Sequence, residues 1–283
     1  MKASTKQVTT RVTQIALGLL IALEYVALRA DFTSKQTVLL VLSLVCAVIP
    51  VALLLQLRAK VAPKVLKQAI RVTVATKSSQ LLLVALSVMG LAVYHLAPGI
   101  TFMQILVIDA LLYFPVSMLA HEKTYHGFRH PLWRSPVGFG LIAALISYAN
   151  YLFYYARHDL SPFYIDASLP MYHQATTVTL LTALLCGFVY ILFERADHHE
   201  QFFTNHLHSN DKLLKAFGVS LVLFAAIAYL PWFQWIFSTL SLDVSDWASA
   251  LLAAGVYSLC RLTQRHTRKH TRHVIVDLHL QSR

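Results

Sequence analysis

An all-α, polytopic membrane helix bundle of about eight spans is the fold this sequence predicts, and three observations predict it. Hydrophobic residues make up 57% of the 283 and charged residues only 13%, where a soluble domain carries about a quarter charged. The hydrophobic residues gather into runs long enough to cross a bilayer, with a mean hydropathy of +0.58. The basic residues flank those runs, so the formal charge of +11 reads as membrane topology and not as a nucleic-acid surface. The lipid bilayer is the first expected partner, and no nucleic acid is expected.

The spans fall at 12–28, 37–57, 79–97, 101–120, 137–156, 174–193, 213–236 and 246–262. They make one bundle over 12–262, between a cytoplasmic tail at 1–11 and a basic, His-rich cytoplasmic tail at 263–283. An even number puts both termini on one side. With that side taken as the cytoplasm, all but Arg29, Lys35 and Arg157 of the 24 lysines and arginines fall inside, which sets the orientation. The expected location is the plasma membrane, multi-pass, with both termini cytoplasmic. No short apolar stretch with a small-residue cleavage site opens the chain, so the first span reads as an uncleaved signal-anchor. Cys46, Cys186 and Cys260 lie in apolar spans without a Cys-x-x-Cys, which points to neither a disulfide framework nor a zinc site.

In the first span, Glu24 lies near the outer end beside Arg29 and reads as a snorkelling or locally paired carboxylate. The second contains Pro50, a kink that a membrane helix tolerates. The basic segment 58–79, with Pro63, reads as a solvated connection facing lipid headgroups. Gln80 heads the third span as a buried polar contact between helices. Tyr148, Tyr151, Tyr154 and Tyr155 end the fifth span, and Trp232, Trp235 and Trp247 bracket the last outer loop. Both groups read as an interfacial aromatic belt. Asn150, Thr176, Thr177 and Thr179 are expected to bond their own backbone or a neighbouring helix, and Ser249, Ala250, Ala253, Ala254 and Gly255 to allow close helix packing.

The inner segments are rich in histidine: His121, His126 and His130, then His198, His199, His206 and His208, and finally His266, His270, His273 and His279. Imidazoles gathered on one face bind metal, but these spacings depart from the closely spaced boxes of membrane oxygenases. Solvated, weakly basic loops are the expectation, and a metal-dependent membrane enzyme using these histidines is a rival.

The fourth span carries the chemistry. Asp109 sits near its middle and Pro115 follows six residues later. A charge at that depth costs at least about 2.5–3.5 kcal/mol on insertion scales, so it faces a protein interior or a wet cavity. The proline removes a backbone donor and frees a carbonyl one turn back, which a neighbouring helix or water must satisfy. With Pro50, it makes a pair of interrupted helices, the sign of a transport site.

The run Met103-Gln104-Ile105-Leu106-Val107-Ile108-Asp109, through Pro115 to Ala120-His121-Glu122, resembles the sixth membrane helix of cation-transporting P-type ATPases. Ala47-Val48-Ile49-Pro50-Val51 looks like their unwound fourth helix. Leu66-Lys67-Gln68-Ala69-Ile70-Arg71, followed by Ser78-Ser79-Gln80, is similar to the entry to their fifth. Residues 176–195, Asn210-Asp211-Lys212-Leu213-Leu214, Tyr229-Leu230-Pro231 and 240–247 resemble the eighth helix and the last pair. The resemblance covers roughly 12–265, as helices three to ten of the transport domain. It implies a vestigial cation or proton site at Asp109, with Gln80, Pro50 and Tyr113.

The departures are as informative. In the pumps the catalytic domains are inserted between helices four and five; here residues 58–66 alone separate Leu57 from Lys67. No Asp-Lys-Thr-Gly-Thr site, nucleotide-binding loop or Thr-Gly-Glu loop occurs, and the actuator-bearing helices one and two have no counterpart. Phosphoryl transfer needs an aspartate nucleophile and metal-bound ATP held in place. The pumps' helix-four glutamate falls at Val51, and the second helix-six aspartate at Tyr113. One carboxylate with neutral oxygens suits a proton or monovalent ion and not Ca²⁺, which takes six or more oxygens. The expectation is a non-enzymatic relic, partner or regulator of a full-length pump or other membrane protein, without a cofactor. A passive or proton-coupled carrier using Asp109 is the first alternative.

Overall fold

The computed structural model describes residues 63–119, 134–163, 169–195 and 211–281. These form seven helices: α1 (Pro63–Tyr94), α2 (Phe102–Leu119), α3 (Arg134–Arg157), α4 (Pro170–Arg195), α5 (Asp211–Tyr229), α6 (Pro231–Phe237) and α7 (Val244–Gln281). There is no strand among the described residues, and one antiparallel bridge joins Leu96 to Phe163. Four stretches are long and apolar enough to cross a membrane: Arg71–Tyr94, Pro136–Arg157, Pro170–Glu194 and Asp211–Tyr229, with a shorter apolar stretch at Met103–Val116 in α2. The expected first and second spans, with Glu24, Cys46 and Pro50, lie outside the described residues, as do His121, His126, His130, His198, His199, His206 and His208.

Local chemistry sets several boundaries. Thr101 and Gln104 form a capping box at the start of α2: the Thr101 N–H donates to Gln104 Oε1 at 3.1 Å and the Gln104 N–H to Thr101 Oγ1 at 3.3 Å. Asp246 in the first turn of α7 accepts from the Asp243 N–H at 3.0 Å in the same way. α1 ends where His95 turns left-handed (φ 53°), and the Leu96 N–H then reaches back to the Gly90 carbonyl.

Contacts at the helix ends give the topology. Arg71 in α1, Glu194 near the end of α4 and Arg261 in α7 meet at one end of the bundle. Arg157 ending α3, Gln174 in α4 and Asp246 in α7 meet at the other, where Tyr229 of α5 donates to the Leu242 carbonyl. Consecutive long helices therefore run in alternating directions. α4 is the hub: 83% of its apolar stretch is buried against its neighbours, compared with 33% for the peripheral α5. α1 packs on α3, α2 on α4 and α5, and α7 on α3 and α4.

Several expectations differ from the structure. The span read as 213–236 is two helices, because Pro231 lacks an N–H and holds Leu230 extended (φ −87°, ψ 124°). Tyr151, Tyr154 and Tyr155 are not an interfacial belt but part of the buried core. Their hydroxyls bond inside the bundle, to the Ala97 carbonyl, to Gln174 and to one another. The segment 58–79 is not wholly a solvated lead-in, since α1 carries Arg71 and Lys77 into the bundle as buried residues. In α7, Ser249, Ala250 and Ala254 are buried against neighbouring helices, whereas Gly255 faces open space. α7 also continues unbroken past 262 to Gln281.

Candidate functional site

The Asp109 site is built from α1 and α2. One turn separates Lys77 from Gln80 on α1, and the two side chains close on each other, the ammonium donating to Gln80 Oε1 at 2.7 Å. Asp109 projects from α2 between them. Gln80 Nε2 donates to Asp109 Oδ1 at 2.8 Å, and Lys77 Nζ forms an ion pair with Asp109 Oδ2. Gln80 Nε2 also lies 3.4 Å from the Ile105 carbonyl, one turn before Asp109. Lys77 and Asp109 are both largely enclosed. A charged pair at that depth persists when each charge has its counterpart and its remaining hydrogen-bonding groups are met. Gln80 supplies the second contact to both.

Sequence reasoning placed Asp109 and Gln80 in one site, and the structure brings them into direct contact. Tyr113 is 39% exposed and takes no part in the hydrogen bonds of Asp109; Pro50 lies outside the described residues. Lys77 was missed. Its signal was available: carrying the helix back to Arg71 turns Lys77-Ser78-Ser79-Gln80 into an i, i+3 pair inside an apolar span. The ammonium lies between a carboxylate oxygen of Asp109 and the amide oxygen of Gln80.

Pro115 lies within α2 without ending it. The carbonyl it frees, Leu111 O, accepts a hydrogen bond from Ser220 Oγ of α5 at 2.7 Å. The neighbouring helix that the proline requires is thus identified, and Ser220 is buried for that purpose.

A second ionic cluster closes the Glu194 end. Glu194 is fully buried and accepts from Arg71 at 2.9 and 3.1 Å and from Arg261 at 2.9 Å. The Arg261 guanidinium lies 3.6 Å from the Phe139 ring centre and 5.0 Å from that of Tyr190. The α4 threonines bond as expected. Thr177, Thr179 and Thr182 donate to carbonyls one turn back, and Thr176 and Thr182 accept from Gln104 and Asn150. Cys186 and Cys260 are free thiols. No group of three or more His, Cys, Asp or Glu converges among the described residues.

Apolar helices in alternating directions, a proline-interrupted helix with its carbonyl taken by a neighbour, and a largely enclosed carboxylate suit a membrane bundle of the cation-transporter type. A family model, cation transporting ATPase, C-terminus, matches residues 120–265. That is just over half of the chain, and the protein belongs to this family. The match covers α3 to the bundled part of α7, while Lys77, Gln80 and Asp109 lie ahead of it. No curated protein matches the chain.

Proposed function

We propose that this chain is a non-catalytic member of its family, a transport-type bundle whose mid-membrane carboxylate is held by an internal ammonium. It acts as a partner or regulator of another membrane protein, such as a full-length pump. The observation that supports this reading is the Lys77–Asp109 pair bridged by Gln80. A carrier must let its carboxylate exchange counter-ions with water, and a tethered ammonium does not leave with the cargo. An incoming cation would strand Lys77 unpaired, at a cost of about 3–5 kcal/mol for a broken buried pair. The cation or proton site is then vestigial. The sequence offers no phosphorylation or nucleotide-binding motif, so ATP hydrolysis has no machinery. The basic flanks favour the Glu194 end as the cytoplasmic face of the plasma membrane.

Purified full-length chain in proteoliposomes is expected to show no vanadate-sensitive ATP hydrolysis and no flux of protons or monovalent cations. Its thermal midpoint is expected to be indifferent to Na⁺ and K⁺, whereas that of Lys77→Ala rises with either ion as Asp109 regains an external counter-charge. Flux that Asp109→Asn abolishes would replace this reading with the carrier, and robust ATP turnover would end it. Stoichiometric iron or zinc would favour the histidine-dependent enzyme. Purification from the native membrane in mild detergent identifies the partner.

A further inference from the structure

A cavity of about 20 Å³ lies where α1, α2, α3, α4 and α7 converge, room for one water. Small residues, among them Ala183 and Gly187, leave the space; Thr76, Gln80 and Tyr190 bring polar groups to its wall. Tyr190 is 2% exposed, and its hydroxyl lies beside the Glu194 carboxylate without meeting an acceptor in hydrogen-bonding geometry among the described residues. A buried hydroxyl in that condition forfeits its hydration without return. Across the cavity, Thr76 Oγ1 spends its proton on the Val72 carbonyl at 3.0 Å, which leaves its lone pairs to accept. Gln80 is already tied to Lys77 and Asp109, and Tyr190 stands one turn before Glu194 on α4. The cavity therefore has Gln80, which holds the ion pair, and Tyr190 of α4 on its wall.

We propose that this cavity binds a single ordered water that accepts from the Tyr190 hydroxyl and donates to Thr76 Oγ1 and Gln80 Oε1. That water joins the Tyr190 hydroxyl to the Lys77–Asp109 pair through Gln80, so that a change at Asp109 is felt at Tyr190. The inference does not depend on the function proposed above; it holds for a carrier as well as for a regulator.

Two double-mutant cycles on the purified full chain test it. Tyr190→Phe is expected to lower the thermal midpoint by about 2–4 °C. Its effect on the unfolding constant is expected to be non-additive with Thr76→Val by at least about twofold, and likewise with Asp109→Asn. If Asp109→Asn does not fold, Gln80→Met takes its place in the second cycle. An experimental structure that resolves waters should show one within hydrogen-bonding distance of Tyr190 Oη. An unchanged or raised midpoint in Tyr190→Phe would mean a hydroxyl with nothing bound to it and would overturn the proposal. Additivity with Thr76→Val overturns the bridging water, because a hydroxyl turned towards Glu194 alone would not sense Thr76. Additivity in the second cycle overturns the link to Asp109.

Discussion

Ser220 shows how one side chain makes a broken helix tolerable. Its hydroxyl meets the Leu111 carbonyl that Pro115 leaves without an N–H. Without it a buried acceptor would be unpaired, so Ser220→Ala should cost about 1–3 kcal/mol. In a Pro115→Ala background the backbone donor returns and the same substitution should cost far less. Comparing chemical or thermal unfolding of the two serine variants checks this, and equal losses would mean the hydroxyl is not there for the proline. The need for a donor was legible in Pro115 itself. Its identity was not, because Ser220 lies 109 residues away and no local pattern marks it. Lys77 differs in kind: its pairing with Gln80 is local, and it was hidden by a span boundary drawn two residues too late.

At the scale of helices, approach distance is set by what has been left out. A Cβ on Gly140 would lie 1.9 Å from Ser78 Oγ and 2.2 Å from the Ala75 carbonyl oxygen. The backbones of α1 and α3 would have to part, since a carbonyl cannot turn aside as a side chain can. Gly140→Ala should therefore destabilise the fold by at least about 1–3 kcal/mol, the usual cost of overpacking. Gly218 and Gly255 meet nothing within 4 Å among the described residues, so alanine there should be neutral or stabilising by up to about 1 kcal/mol, the helix-propensity difference. Thermal midpoints of the three variants in one detergent separate the cases. That α7 contains small residues for packing was readable; that Ala250 and Ala254 pack while Gly255 does not depends on how α7 is rotated about its axis.

Across the whole molecule, charge is buried at three depths: Glu194 with Arg71 and Arg261, Asp109 with Lys77, and Asp246 with Arg157. The two terminal clusters each tie three elements together. Among the described residues Glu194 pairs with two guanidinium groups, those of Arg71 and Arg261, so the cluster is asymmetric. Glu194→Gln should cost about 3–5 kcal/mol, the price of stranding buried charge. Arg71→Met should cost less, because Arg261 still neutralises Glu194. Equal losses in unfolding experiments would show that the carboxylate is not the keystone.

The sequence by itself determined the helical, membrane-crossing class, the mid-span carboxylate with its proline, the contact made by Gln80, and a resemblance that the family match over 120–265 supports. Those properties are one-dimensional: hydropathy, charge and breaker residues act through the segment that carries them. The tertiary structure decided that Asp109 meets Lys77, that Ser220 serves Pro115, that the α3 tyrosines turn inward and that Glu194 gathers two arginines. Each depends on the rotation of one helix against another. Many packings satisfy the same hydropathy, and the side chains that meet across them select among these.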